Sequence, residues 1–177
     1  LRYLNNKILP HILFGLSILA LSAVCSAKSI HDLKAAYLYN FIKFISWPTE
    51  LTDETEFRLC LLGEDPGNDK FKLLEQRPIH GRSLHVKTIS TLSPSDQCTV
   101  LFIGTSEEKF LSDIITELGE SPTLTVSSIP NFAVQGGTIG FVTLGNVIRF
   151  DINLGKATHN QLTISSKLLE LANQVVK

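Results

Sequence analysis

Neither sign of charge dominates this sequence. Its 177 residues hold 16 Lys and Arg against 17 Asp and Glu, and the basic residues are scattered. A nucleic-acid binder gathers its bases into a patch or stripe, so no nucleic-acid partner is expected. Long apolar stretches are scarce as well: the one pronounced run, 12–24, has 13 residues, short of the roughly 20 that a spanning helix needs. Familiar catalytic signatures are missing. There is no His-Glu-x-x-His, Cys-x-x-Cys, Gly-x-Ser-x-Gly or Gly-x-x-x-x-Gly-Lys, the patterns that carry zinc, redox, acyl-transfer and phosphate chemistry. No catalytic residue and no cofactor is expected. Internal repeats and low-complexity tracts are also lacking, which excludes a solenoid or a disordered linker.

What is present begins with a targeting pattern. Arg2 and Lys7 precede the 12–24 run, which closes on Cys25-Ser26-Ala27 before Lys28. A basic start, a short apolar middle and a small-x-Ala boundary read as a signal peptide over 1–27, cleaved after Ala27 to release a single domain, 28–177. The runner-up is a membrane anchor. A lipidated Cys25 is a third reading, disfavoured because Ser22-Ala23-Val24 does not supply the leucine and small residues expected before such a site. At 44% hydrophobic and 19% charged residues, the chain has the composition of a packed globular protein rather than a disordered one.

Of three cysteines, an exported chain would keep Cys60 and Cys98 in a compartment where disulfides persist. Two readings stand: a disulfide, or two buried thiols in neighbouring strands. Each cysteine lies in an apolar strand-like run, and adjacent parallel strands would bring them together, which favours the disulfide.

Apolar spacing predicts a helix over 30–46, with Leu33, Tyr37, Phe41, Phe44 and Ile45 inward and Trp47-Pro48 as its stop. Strands are predicted over 57–62, 83–89, 99–103 and 122–126, and helices over 70–76 and 106–118. The continuous run Val100-Leu101-Phe102-Ile103 suits a strand covered on both faces. Two further strands, 138–144 and 147–153, are separated by Gly145-Asn146, the sequence of a tight hairpin. A closing helix is predicted over 161–176. Strands alternating with helices and then a hairpin imply a three-layer α/β sandwich, its mostly parallel sheet extended by an antiparallel C-terminal pair.

The histidines His31, His80, His85 and His159 are dispersed. His80 and His85, five apart on a strand, would face opposite sides, so no metal site is expected. A receiver-type phosphoacceptor domain would end its first strand in acidic residues, whereas Leu61-Leu62-Gly63 stands there, with Glu64 and Asp65 after it. The glycines of Gly136-Gly137-Thr138-Ile139-Gly140 read as a turn or bulge before the hairpin in preference to an anion nest. The first helix offers more. Tyr39, Lys43 and Trp47 are spaced four apart and form one stripe beside Asp32 and Ser46, of the residue types that anchor interfaces. Equally, the helix could be packed on both sides, with Trp47 turned inward by Pro48.

The segment Lys34-Ala35-Ala36-Tyr37-Leu38-Tyr39-Asn40-Phe41-Ile42-Lys43-Phe44-Ile45-Ser46-Trp47-Pro48 resembles the opening signature of the YfiR family of exported bacterial proteins. Arg58-Leu59-Cys60-Leu61-Leu62-Gly63, Cys98-Thr99-Val100-Leu101-Phe102-Ile103, Pro122-Thr123-Leu124-Thr125-Val126 and Val147-Ile148-Arg149-Phe150-Asp151-Ile152 are similar to later family segments, in order. The resemblance implies a non-enzymatic periplasmic regulator that holds an inner-membrane diguanylate cyclase inactive by binding its periplasmic sensor region. It also implies release by an outer-membrane lipoprotein or by redox state, and a homodimer. Cys60 and Cys98 match the family's cysteine pair. A second pair found in some relatives has no counterpart here, leaving one disulfide to respond.

Three functions therefore compete. A regulatory binding protein comes first. A periplasmic small-molecule sensor acting on another membrane receptor, such as a sensor kinase, comes second. Its pocket would lie at the carboxyl ends of the parallel strands, with Arg149 or Lys43 meeting an acidic group. An enzyme of unfamiliar type is third.

Overall fold

The computed structural model describes residues 29–48, 56–93, 96–145 and 147–177. The expected signal peptide, 1–27, lies outside them. Helix α1 (Ile30–Phe44) starts at a reciprocal cap: Ser29 Oγ accepts from the Asp32 amide and Asp32 Oδ2 accepts from the Ser29 amide, satisfying donors that a helix start leaves free. Strand β1 (Ile45–Ser46) follows at once, then β2 (Glu56–Leu62), a short α2 (Asn68–Lys72), β3 (Pro78–Ile79), β4 (Arg82–Ile89) and β5 (Val100–Ile103). A 3-10 turn, Thr105–Phe110, leads into α3 (Leu111–Leu118), and β6 (Leu124–Ser127), β7 (Ile139–Leu144) and β8 (Val147–Asn153) complete most of the sheet. The chain ends in α4 (Leu154–His159), β9 (Thr163–Ile164), α5 (Ser166–Leu171) and β10 (Gln174–Val176).

Eight strands form one sheet in the order β10-β8-β7-β6-β5-β2-β4-β3. The run β4-β2-β5-β6-β7 is parallel throughout, whereas β8 pairs antiparallel with β7, Leu144 opposite Val147 across a two-residue connection. This is the expected mostly parallel sheet with a C-terminal hairpin. The period of two along each strand divides its residues between two cores. Leu59, Leu61, Val100, Phe102, Leu124 and Val126 face α1 and α2, while Cys60, Leu62, Leu101 and Ile103 face α3 through Leu111, Ile114 and Leu118. Helices on both faces of a sheet give three layers.

Several predicted elements differ: the 70–76 helix stands at Asn68–Lys72, and the first helix stops at Phe44 in place of the expected 46. The 106–118 helix is shorter: its first turns are the 3-10 segment, where Ser106 is occupied by the end of β2 and Phe110 stands 57% exposed. In α1 the inward residues are Ala35, Leu38, Phe41 and Ile42, with Tyr37 half-buried, while Leu33 and Phe44 face outward.

The predicted closing helix over 161–176 breaks into β9, α5 and β10. Ile164 pairs with Ile45 and the Ser165 amide donates to Phe44 O, so the chain first fastens the end of α1. Ser165 then caps α5, and from Ala172 the backbone is extended and adds β10 in parallel to β8. An unpaired sheet edge offers hydrogen bonds that a continued helix would leave unmade.

Candidate functional site

The expected stripe on α1 divides in two. Tyr39 is half-buried and its hydroxyl donates to Pro78 O at 2.6 Å. Two cations approach its ring, Lys43 Nζ and Arg77 Cζ each 5.5 Å from the centroid, contacts favoured by the negative face of an aromatic ring. Lys43 is exposed. Trp47 belongs to the core: 8% exposed, it packs edge-on against Phe57 with ring centroids 5.3 Å apart. Strand β1 carries the chain away from the helical path at Ile45, and with it the indole turns under the sheet. Arg149 is exposed on β8, opposite Val142, several strands away from β3, whose Pro78 accepts from Tyr39. The structure thus brings Tyr39 and Lys43 together and leaves Arg149 apart.

The outward side of α1 carries apolar residues that are partly open to solvent. Ile30, Leu33 and Phe44 are 39%, 38% and 37% exposed, at spacings of three, then eleven, along one side of the helix. Asp32 sits at its start, bonded to Lys70 Nζ at 2.7 Å. The Lys70 ammonium first, and the Ser29 hydroxyl and amide next, hold its carboxyl down to a pKa of about 2.

Cys60 and Cys98 form a disulfide, Cα atoms 5.7 Å apart. Cys60 is on β2 and Cys98 precedes β5, whose parallel register sets Cys60 opposite Leu101. The bond belongs to the α3-side core.

A second locus lies where β2 and β5 end. Gly104 has no side chain because one could not fit: a Cβ there would stand 2.6 Å from Glu64 O. That close approach, with the Ser106 amide donating to Glu64 O and Ser106 Oγ accepting from the Glu64 amide, joins the two strand-end loops. Glu64, Asp65, Asn68, Asp69, Thr105 and Ser106 line an open crevice there of about 770 Å³. The sensor reading expected a crevice at this end of the sheet, but neither Lys43 nor Arg149 lines it. Sequence reasoning treated Glu64 and Asp65 only as misplaced phosphoacceptors and missed Asn68, Asp69, Thr105 and Ser106. The available signal was the density of acids and turn residues over 63–69.

Among the described residues no helix is long and apolar enough to cross a membrane, and no three His, Cys, Asp or Glu side chains converge as metal ligands. A family model described as YfiR/HmsC-like matches residues 31–173. The chain belongs to the YfiR/HmsC-like family. The match runs from the first turn of α1 to the residue before β10, so the matched region of this chain spans the disulfide, the crevice and the hairpin. Among solved structures, this YfiR/HmsC-like chain is similar to a conserved domain protein from Vibrio cholerae O1 biovar El Tor strain N16961, with a TM-score of 0.55 and 13% sequence identity. That likeness, one of fold, covers 83% of this chain and 60% of the Vibrio chain. No curated protein matches the sequence.

Proposed function

We propose that this protein is a periplasmic regulator that represses a membrane signalling protein, a diguanylate cyclase, by binding its periplasmic sensor region. The observation that carries the reading is the YfiR/HmsC-like match across residues 31–173. A disulfide between Cys60 and Cys98 fits an oxidising compartment, in keeping with export by the 1–27 signal. Repression of this kind requires no chemistry, only a preference for one state of the target: about 5.5 kcal/mol of differential affinity moves a population from 1:99 to 99:1. The docking surface we assign is the outward side of α1, with Leu33 and Phe44 as apolar contacts and Lys43 beside Tyr39 as the polar one. Family resemblance further supports a homodimer and capture by an outer-membrane lipoprotein as the release step.

The test is reconstitution. Membranes containing the cyclase are assayed for cyclic di-GMP with and without added protein, alongside Leu33→Glu and Phe44→Glu. Product should fall with the wild type and not with the variants. Undiminished product at saturating wild-type protein would sink the proposal. The crevice at the ends of β2 and β5 supports a second reading, a small-molecule sensor that acts on another receptor such as a sensor kinase.

A further inference from the structure

The parallel strands change their direction of succession around β2. From β2 the chain moves outward to β4, then returns to lay β5 on the other side, and β6 and β7 continue that way. The switch point is therefore between β2 and β5, and crevices at the carboxyl ends of such strand pairs are where open α/β sheets bind ligands. The crevice of this chain is at that point.

Its chemistry is one-sided. Glu64, Asp65 and Asp69 contribute carboxylates, and no Lys, Arg or His lines it. Nearby cations have partners: Lys72 Nζ is 3.2 Å from Asp69 Oδ1, and Lys70 is held by Asp32. Two acceptors are left over. Asp65 is 8% exposed; its Oδ1 accepts from the Gly67 amide at 2.8 Å, while its Oδ2 is shut off from water with no hydrogen-bond partner. Asn68 donates its amide to Gly63 O at 2.9 Å, and its Oδ1 is likewise buried and unpartnered. The Ser106 hydroxyl offers no relief, since it donates to Glu107 Oε1 at 2.7 Å. A buried acceptor without a donor is destabilising, and a charged one more so. Asp65 and Asn68 both line the crevice, so the two unpartnered acceptors belong to adjoining residues of its wall and lie just beneath its surface.

We propose that the crevice binds a small organic cation through a primary ammonium group, whose N–H donors complete Asp65 Oδ2 and Asn68 Oδ1. An ammonium brings three donors and a positive charge to a site that has spare acceptors and a negative field. A metal ion fits less well, because no three His, Cys, Asp or Glu side chains among the described residues converge on one point. Asn68, half-buried at the mouth, is the gate: its side chain turns and its bond to Gly63 O yields as the ligand enters. A second ammonium on the same ligand would meet Glu64 or Asp69. The inference is independent of the regulatory reading, since binding is measured without any partner.

The experiment is calorimetric titration of the full chain with putrescine, with butanediol as a neutral analogue, tetramethylammonium as a cation lacking N–H, and magnesium and calcium chlorides. Putrescine should bind at one site per chain, and butanediol and tetramethylammonium should not. Asp65→Asn keeps an oxygen for the Gly67 amide but removes the charge, and should weaken putrescine about tenfold or more. Its thermal midpoint without ligand should equal or exceed that of the wild type, because an unpaired buried charge is gone. Asn68→Ala should weaken putrescine too, and it carries the comparison if Asp65→Asn does not fold. No putrescine binding, equal binding by wild type and variants, tetramethylammonium binding as tightly as putrescine, or putrescine excluded by a tightly held magnesium or calcium ion would each overturn the proposal.

Discussion

Trp47 stands edge-on to Phe57, ring planes inclined at 64°, and this contact joins the end of α1 to the start of β2. Both rings are buried in the larger core, so Trp47 works as a structural rivet between the helix and the sheet. Trp47→Ala should lower unfolding free energy by about 3 to 5 kcal/mol, the usual range for removing a large aromatic from a core. Lys43→Ala, four residues back and exposed, should change it by less than about 0.5 kcal/mol. Denaturant unfolding of both variants checks the pair.

Gly137 lies where Phe132 needs room. A Cβ at that position would stand 2.0 Å from the Phe132 ring, and Phe132 is itself buried on the α3 side. Gly137→Ala should therefore destabilise by about 1 to 3 kcal/mol through overpacking. A thermal midpoint equal to that of the wild type would mean that Phe132 can move aside.

The disulfide closes a loop with a sequence separation of 38, and the chain-entropy account gives it about 3 to 4 kcal/mol. Unfolding in urea with and without reductant measures the value directly. Because Cys60 is fully buried, reduction of the native protein should be slow and should accelerate in mild denaturant.

Acid stability at the start of α1 has a defined direction. The Asp32 carboxyl is lowered from 3.8 to about 2 by Lys70 and Ser29, so its ion pair stabilises the fold above the unfolded value and is lost as pH falls through about 2. Wild type should be more stable than Asp32→Asn at neutral pH, and the difference should shrink as pH falls from 3.8 and be gone only below about 2. Thermal midpoints of the two proteins across that range give the answer.

Leu33→Glu and Phe44→Glu replace residues that face outward, and stability should change by less than about 0.5 kcal/mol. Loss of the partner complex by these folded variants, measured by co-purification with the cyclase, would place the docking surface on α1. Full retention would move it elsewhere.

Strands whose residues are all buried announce themselves in sequence. The unbroken run Val100-Leu101-Phe102-Ile103 of β5, buried throughout, admits few alternatives to a sheet covered on both faces, and Gly145-Asn146 is the sequence of a tight hairpin. Two cysteines in adjacent strand-like runs pointed to the bond between them. The stripe on α1 and the closing segment were less legible. Tyr39, Lys43 and Trp47 share a side only while the helix continues, and β1 ends it at Ile45. Likewise the apolar spacing over 161–176 fits one helix as well as it fits three pieces.

Local rules settle the alternation of elements, the two-sided burial of β5, the hairpin and the cysteine pair. The remaining features depend on contacts between distant parts of the chain. Ile164 opposite Ile45, and β10 along the edge of β8, are backbone pairings whose partners lie far away in the chain. The crevice draws 64–69 and 105–106 to one place only because β2 and β5 are neighbours in the sheet. Spacing along a chain reports which side a residue takes on its own element; which distant residue it meets depends on how the elements pack.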